Sequence, residues 1–283
     1  MAAQGVDALL LSLGADLPYF CGYEAMPLER LTMLVVPKEG MPQLLVPILE
    51  APRVAEHPEV FGLLPWSDGQ DAVALAAGLI KGAKKVAVGD QMWAGFLVDL
   101  VAALPGTEFC RASAVTAPIR MVKDAAEIAA LRQAGAAVDR IIADLQAGLV
   151  PLVGRTEADV AAEIARRIRL EGHYKVNFTI VASGPNAASP HHDPTDRVIQ
   201  HGENVLFDIG GTMAGPNGVG YCSDITRCVH IGEPPTEFAE LYAVLHASHA
   251  AGVAAATVGT PCQDVDAAAR KVIDDAGLGE FFI

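Results

Sequence analysis

Two aspartates lie in apolar segments that otherwise have the composition of buried strands. Asp208 is flanked by apolar residues and followed by Gly210-Gly211, and Asp224 lies in the segment 221–228. An ionised carboxylate is costly to bury unless a cation or dense hydrogen bonding compensates it, and two neighbouring carboxylates also repel each other. The pattern therefore predicts that both residues bind a divalent metal ion or a metal pair. Either aspartate alone could instead be a turn or cap residue.

Two further residues could serve such a centre. Thr226 has the same strand parity as Asp224, so its hydroxyl is expected to orient a ligand carboxylate. His191 lies in the proline-bracketed segment 183–194, a sharply shaped loop that could position a substrate, although a solvated loop histidine is the alternative. Oxygen-rich ligation favours hard or borderline ions such as Mn²⁺ over a thiolate zinc site.

Composition restricts the class of protein. The chain has 283 residues, of which 52% are hydrophobic and 19% are charged, so it is expected to be globular. Its formal charge of −14 argues against nucleic acid and anionic membranes as partners. We find neither a membrane-spanning apolar run nor a signal peptide. Five scattered cysteines without a CxxC pair predict reduced thiols in a cytoplasmic protein.

The elements that must hold these residues fall into two groups. Residues 1–118 predict an α/β domain, and residues 114–119, which include Pro118, are expected to connect it to the next domain. Residues 119–283 predict an α+β domain with long helices at 124–145 and 156–170, a strand at 178–182, the two strands of the aspartates, and helices at 238–256 and 262–276. The first domain is predicted to contain strands 6–12, 32–37, 43–46 and 85–89 and helices 72–80 and 92–104.

Several strings together resemble the pita-bread metallopeptidase family, which includes prolidase, aminopeptidase P, methionine aminopeptidase and creatinase. Segments 6–10 and 16–23 resemble the opening of a creatinase-like N-terminal domain, and Lys123 with Glu127-Ile128 resembles the entry to the catalytic domain. Segment 181–191 resembles the loop that carries a substrate-site histidine, and Ser-Asp-Ile-Thr-Arg at 223–227 resembles the second metal-ligand string. The similarity is greatest to the Xaa-Pro dipeptidase and aminopeptidase P branch.

The resemblance implies a specific chemistry. It implies two divalent metal ions (Mn²⁺, with Co²⁺ or Zn²⁺ as alternatives) held by two aspartates, one histidine and two glutamates, with Asp208 and Asp224 as the aspartates. A metal-bridged hydroxide would hydrolyse the peptide bond before proline, and His191 would contact the substrate or stabilise the tetrahedral intermediate. A substrate with proline at its second position and a homodimeric assembly are implied in the same way.

The resemblance also leads to a further expectation. The family's histidine and glutamate ligands follow a string similar to 276–283, so three of the five ligands are expected to be absent from this chain. We therefore expect an incomplete pita-bread domain, lacking its second half, that is inactive by itself. The alternative function is a metal-free peptide-binding module of the same fold, which is disfavoured because two aspartates without a metal would destabilise it.

Overall fold

The computed structural model describes residues 1–282, apart from the side chain of Asn217, and contains two compact units. The first comprises Met1–Ile141, Ala165–Phe178 and Ile209–Ile225, and the second comprises Ile142–Ile164, Thr179–Asp208 and Thr226–Ile283. The α-helices are α1 (Asp16–Cys21), α2 (Ala72–Leu79), α3 (Ala94–Ala103), α4 (Ser113–Met121), α5 (Ala125–Gln146), α6 (Glu157–Leu170), α7 (Thr236–Ala255) and α8 (Cys262–Asp275). Within residues 1–282, no helix has both the length and the apolar character that crossing a bilayer requires.

The strands form two sheets. They are β1 (Ala8–Leu11), β2 (Met33–Pro37), β3 (Gln43–Pro47), β4 (Gly62–Trp66), β5 (Lys85–Val88), β6 (Glu108–Arg111), β7 (Lys175–Ser183), β8 (Asn204–Ala214), β9 (Gly220–Cys222) and β10 (Ile225–His230). The first sheet has the order β4-β3-β2-β1-β5-β6. The second has the order β10-β8-β7, and β9 pairs antiparallel with β8.

Strand β1 is the centre of the first sheet and is buried on both faces. Ala8 and Leu10 belong to one apolar cluster, whereas Leu9 and Leu11 belong to another. This alternation follows from the period of two in a strand, and a strand covered on both faces is expected to be apolar throughout. β1 pairs antiparallel with β2 and parallel with β5, so the sheet is mixed.

The predicted elements are present with small shifts at their ends, but three short ones were missed. These are α1, β4 and β6, which were not predicted from the sequence. Residues 114–119, the predicted connector, lie in the helix Ser113–Met121 with Pro118 inside it, and their role as a connector between domains stays a prediction. Pro118 is the sixth residue of this helix, and it cannot donate the backbone hydrogen bond that other residues in a helix interior make.

The start of α5 has a reciprocal cap. The backbone N–H of Asp124 donates to Glu127 Oε2 (2.7 Å), and the N–H of Glu127 donates to Asp124 Oδ1 (2.8 Å). This satisfies two amides that have no partner within the helix, with the geometry of a capping box. The acidic pair at 124 and 127 therefore does mark a helix start, as its sequence suggested.

The glycines of β8 allow very close packing. A Cβ built on Gly210 would lie 2.3 Å from the backbone oxygen of Ser223 and 2.8 Å from the ring of Phe178. A Gly-Gly pair such as Gly210-Gly211, close after a ligand-type residue, can form a turn or bulge and leave room for a ligand. Instead both residues lie within the strand, and protein atoms occupy the space beside Gly210.

We expect Gly210→Ala to lower the free energy of unfolding by about 1–3 kcal/mol, because a backbone carbonyl cannot move aside as a side chain can. Gly135→Ala is the matched control. Gly135 lies in α5 with no atom within 4 Å of an added Cβ, so alanine there should be neutral or stabilise by up to about 1 kcal/mol. Urea denaturation of both variants measures the difference, and equal stabilities would contradict the packing argument.

A second prediction concerns His173, which is buried beside the same strand. Its Nδ1 lies 3.2 Å from the carbonyl of Ile168 and its Nε2 lies 2.9 Å from Ser223 Oγ. Burial lowers the pKa of His173, and the Ile168 carbonyl and Glu171 oppose this effect only in part. The unfolded ring, with a pKa of about 6.5, therefore binds a proton more readily than the folded one.

The stability that the neutral His173 ring contributes should be present above pH of about 6.5 and be lost as the pH falls toward the lower, folded-state pKa. Accordingly, the difference in unfolding free energy between the wild type and His173→Gln should shrink between pH 7.5 and pH 5. Urea titrations at several pH values test this. A difference independent of pH would show that His173 protonation is not linked to folding.

Candidate metal and substrate site

Asp208 lies on β8 with the alternation that the sequence predicted. Val205, Phe207 and Ile209 are buried, whereas Asp208 is half-buried. The hydroxyl of Thr226, on β10, donates to Asp208 Oδ1 over 2.9 Å. Among the described residues, no lysine or arginine is seen to pair with this carboxylate. The Asp208 carboxylate is therefore oriented by the Thr226 hydroxyl, and its negative charge could be balanced by a bound cation.

Asp224 occupies a break between strands. It follows Ser223 at the end of β9 and directly precedes β10, so the prediction that it lies within a strand is wrong by one residue. Its carboxylate belongs to an exposed residue. Ser223 fixes the backbone just before it, since the Ser223 N–H donates to the Gly211 carbonyl (2.9 Å) and the Ser223 Oγ accepts from the Gly211 N–H (3.2 Å).

The pairing of Ser223 with His173 resembles a nucleophile and its base only superficially. Both side chains are buried, with exposed fractions of 4% and 3%. The second ring nitrogen of His173 faces a backbone carbonyl, and Ser223 Oγ is also engaged with Gly211. Because a nucleophile must reach its substrate, this pair has a structural role.

His191 is exposed and has an unusual backbone conformation. Its φ is +55°, the left-handed region that few residues other than glycine adopt, although histidine does so more often than most. The segment before it begins with a 3₁₀ helix at Gly184–Ala188. A left-handed residue within a loop needs surrounding contacts that hold it there.

The structure supplies those contacts through Glu157, which the sequence analysis treated only as part of a helix start. The side chain of Glu157, in the first turn of α6, is fully buried. Its Oε1 accepts from the N–H (2.8 Å) and hydroxyl (2.7 Å) of Ser183 and from Asn186 Nδ2 (3.0 Å). Its Oε2 accepts from His192 Nε2 (2.9 Å) and from the N–H (3.1 Å) and hydroxyl (2.8 Å) of Thr195.

These donors determine the charge state of Glu157. Burial by itself raises the pKa of a carboxyl group, but the hydrogen bonds from His192, Ser183 and Thr195 outweigh it and hold the pKa of Glu157 well below its usual range. The group is thus a carboxylate that only accepts hydrogen bonds. No local sequence signal could have identified it, because its partners follow it by 26 to 38 residues.

Arg197 and Glu203 extend this network. Arg197 Nη1 donates to Ser183 Oγ (2.7 Å) and to Glu203 Oε2 (2.8 Å), and the Gln200 N–H donates to the same Glu203 oxygen (3.0 Å). The Arg197 guanidinium lowers the pKa of Glu203, and Glu203 raises the pKa of Arg197. This ion pair supports the end of β7 and the approach to β8.

The first unit also contains a cleft of about 760 Å³, within the size range of small-molecule sites. Its lining includes Glu24, Arg120, Lys123 and the pair Glu127 and Tyr221. Tyr221 donates to Glu127 Oε1 (3.1 Å), and burial together with this carboxylate raises the pKa of Tyr221 to about 12. The cleft is thus lined by charges of both signs.

The donor set at Asp208 fits a divalent cation in kind. Carboxylate oxygens suit hard ions, and one oxygen of the half-buried Asp208 carboxylate is already oriented by a hydroxyl donor. Within residues 1–282, no cluster of three or more histidine, cysteine, aspartate or glutamate side chains has the arrangement of a metal site. The expectations that three further ligands are absent from this chain and that it is inactive by itself are not supported by the structure.

Comparison with known proteins identifies both parts of the chain. Residues 1–122 match the family model of the creatinase/prolidase N-terminal domain, and residues 129–283 match that of metallopeptidase family M24. The probable dipeptidase PepE of Mycobacterium tuberculosis is 43% identical over 286 residues, a match that covers all of this chain and 74% of that protein.

Solved structures of dipeptidases and prolidases are similar to this chain over its whole length. The dipeptidase PepE of Mycobacterium ulcerans has a TM-score of 0.87 at 43% identity, and the match covers 100% of this chain and 75% of that one. A prolidase from Thermococcus sibiricus has a TM-score of 0.88 at 32% identity, and the match covers 100% and 76% of the two chains. The predicted fold class, a creatinase-like N-terminal domain followed by a pita-bread domain, is therefore confirmed, whereas the expectation that the second half of the pita-bread domain is missing is not supported by these matches. The chain belongs to metallopeptidase family M24.

Proposed function

We propose that this protein is a divalent-metal-dependent peptidase that hydrolyses Xaa-Pro dipeptides. The observation that carries the proposal is the Asp208 carboxylate, which Thr226 orients and which no described cation neutralises, in a chain of family M24. The similar proteins described as dipeptidases and prolidases support the choice of substrate. The substrate class is thus a short peptide with proline at its second position.

In this proposal Asp208 and Asp224 are metal ligands, and Mn²⁺ is the first candidate ion, with Co²⁺ or Zn²⁺ as alternatives. A bound pair of such ions would supply Lewis-acid activation of water and of the scissile carbonyl. Thr226 holds one carboxylate oxygen of Asp208 so that the other can face the metal. His191 contacts the substrate carbonyl region and donates a hydrogen bond to the negative charge that develops there.

Two thiols and two hydroxyls of the chain are poorly suited to act as a covalent nucleophile. Cys21 is buried and its pKa is raised to about 11, and burial also raises the pKa of Cys228. A thiol with a raised pKa is a poor nucleophile because little of it is thiolate. Ser183 and Ser223 are buried and hydrogen-bonded within the fold.

We also propose a cytoplasmic, homodimeric protein with a domain boundary near residue 118. Free cysteines such as Cys110 and Cys262 suit a reducing compartment. The boundary is supported by the interval between the two family matches, at residues 122 and 129. Sedimentation equilibrium tests the assembly.

Hydrolysis should depend on both metal and proline. After removal of metal with EDTA and addition of Mn²⁺, Co²⁺ or Zn²⁺, we expect the protein to cleave Xaa-Pro dipeptides faster than dipeptides without proline or longer Xaa-Pro peptides. A ninhydrin assay for released proline with these substrates measures it. Faster cleavage of the longer peptides would indicate an aminopeptidase P-type enzyme, and peptide binding without any hydrolysis would indicate the metal-free binding module.

The ligand assignment makes a separate prediction. Asp208→Asn should weaken Mn²⁺ binding by more than about 100-fold, and Thr226→Val by about 10- to 100-fold, the range typical for residues that orient a ligand. Asp99→Asn is the control, since Asp99 is an exposed carboxylate in α3. Isothermal titration calorimetry reports these affinities without requiring turnover. An affinity unchanged in Asp208→Asn would contradict the assignment.

A further inference from the structure

The loop that carries His191 is tied to a single buried carboxylate at both its ends and in its interior. Ser183, before the loop, binds Glu157 Oε1, and Thr195, after it, binds Glu157 Oε2. Between them, Asn186 and His192 bind the same side chain. The thirteen-residue span from Ser183 to Thr195 is thereby closed onto one point of α6.

We propose that Glu157 is the positioning residue of His191, holding the loop 184–194 so that the exposed His191 imidazole is presented to the substrate. This inference rests on the proposed function for the role of His191. It assigns to Glu157 no contact with substrate or metal. Glu157 acts through the loop.

Glu157 is connected to His191 through the adjacent residue, His192. The His192 ring is held by Glu157 over 2.9 Å, while the His191 backbone has φ of +55° and its side chain is exposed. Fixing the His192 side chain fixes the peptide that joins the two residues. Consecutive side chains then point in different directions, one into the network and one to the solvent.

The geometry requires a carboxylate at position 157. Each oxygen of Glu157 accepts a backbone N–H, that of Ser183 on one and that of Thr195 on the other. A glutamine has one oxygen and one NH₂ group, so in either orientation its NH₂ group faces a backbone N–H. Backbone donors cannot rotate away, unlike the hydroxyls of Ser183 and Thr195. The isosteric amide is therefore expected to release one end of the loop.

A double-mutant cycle distinguishes positioning from a general effect on stability. The four proteins are the wild type, Glu157→Gln, His191→Ala and the double variant, all assayed as the metal-loaded protein. We expect Glu157→Gln to lower kcat/KM for an Xaa-Pro dipeptide by about 10- to 100-fold, as is typical when an orienting partner is lost. In the His191→Ala background the same change should have no more than about a twofold effect.

Two further variants distinguish the proposed effect from a general loss of folding. Glu171→Gln removes a glutamate paired with Arg140 outside the loop network and should leave activity unchanged. Thr195→Val removes one hydroxyl from Glu157 but keeps the backbone donor, so it should give a smaller loss with the same dependence on His191. If Glu157→Gln does not fold, the cycle is run with Thr195→Val.

Hydrogen–deuterium exchange provides a readout that does not depend on activity. We expect Glu157→Gln to exchange faster than the wild type only in residues 183–195. We also expect the effects of Glu157→Gln and His191→Ala on kcat/KM to be non-additive. Equal losses in both His191 backgrounds, or exchange in this segment that is unchanged, would overturn the inference. Absence of hydrolysis by the wild-type protein would instead contradict the proposed function, and the exchange experiment would still decide whether Glu157 holds the loop.

Discussion

A buried carboxylate whose two oxygens both accept several hydrogen bonds is the constraint on which the conformation of the His191 loop depends. Removing an ion from water costs several kcal/mol even after the protein relaxes. At Glu157 this cost is offset by donors from Ser183, Asn186, His192 and Thr195, and the pKa of the group consequently lies below its usual range. Few arrangements of the loop can satisfy both oxygens at once, so the interaction selects one loop conformation.

Strand β8 imposes a second constraint. One half of the strand carries Asp208, and the other half is packed closely against neighbouring residues. Its first half alternates, with Val205 and Phe207 buried and Asp208 half-buried. Its second half is buried from Ile209 to Met213, and there Gly210 admits the Ser223 carbonyl and the ring of Phe178 at distances that a Cβ atom would not allow. The strand thus presents a carboxylate beside a tightly packed segment, and such packing leaves a ligand little freedom to move.

The strand and the loop share one kind of contact, a hydroxyl group that donates to a carboxylate. Hydroxyl groups orient carboxylates at two places, Thr226 at Asp208 and Thr195 at Glu157. In the first, a single hydroxyl donates to the carboxylate and the proposed metal would balance its charge, whereas in the second the protein itself supplies all the donors. The same residue types therefore produce one site suited to a ligand and one that is purely internal, and the difference is the number of protein donors around each carboxylate.

The sequence by itself determined the family, the sheet and helix content, and the residues with evident chemistry. Alternation around Asp208, apolar runs such as Ala8–Leu11, and the Asp124–Glu127 helix start are local patterns, and local patterns can be read from one stretch of chain. The short elements α1, β4 and β6 were missed because they contain few residues from which to recognise a period. Only the tertiary structure decided that Glu157 is a buried anchor, that Thr226 binds Asp208, and that Gly210 faces protein atoms. Each of these depends on groups brought together from distant positions, and hydrogen bonding and close packing between such groups leave no pattern in either segment alone.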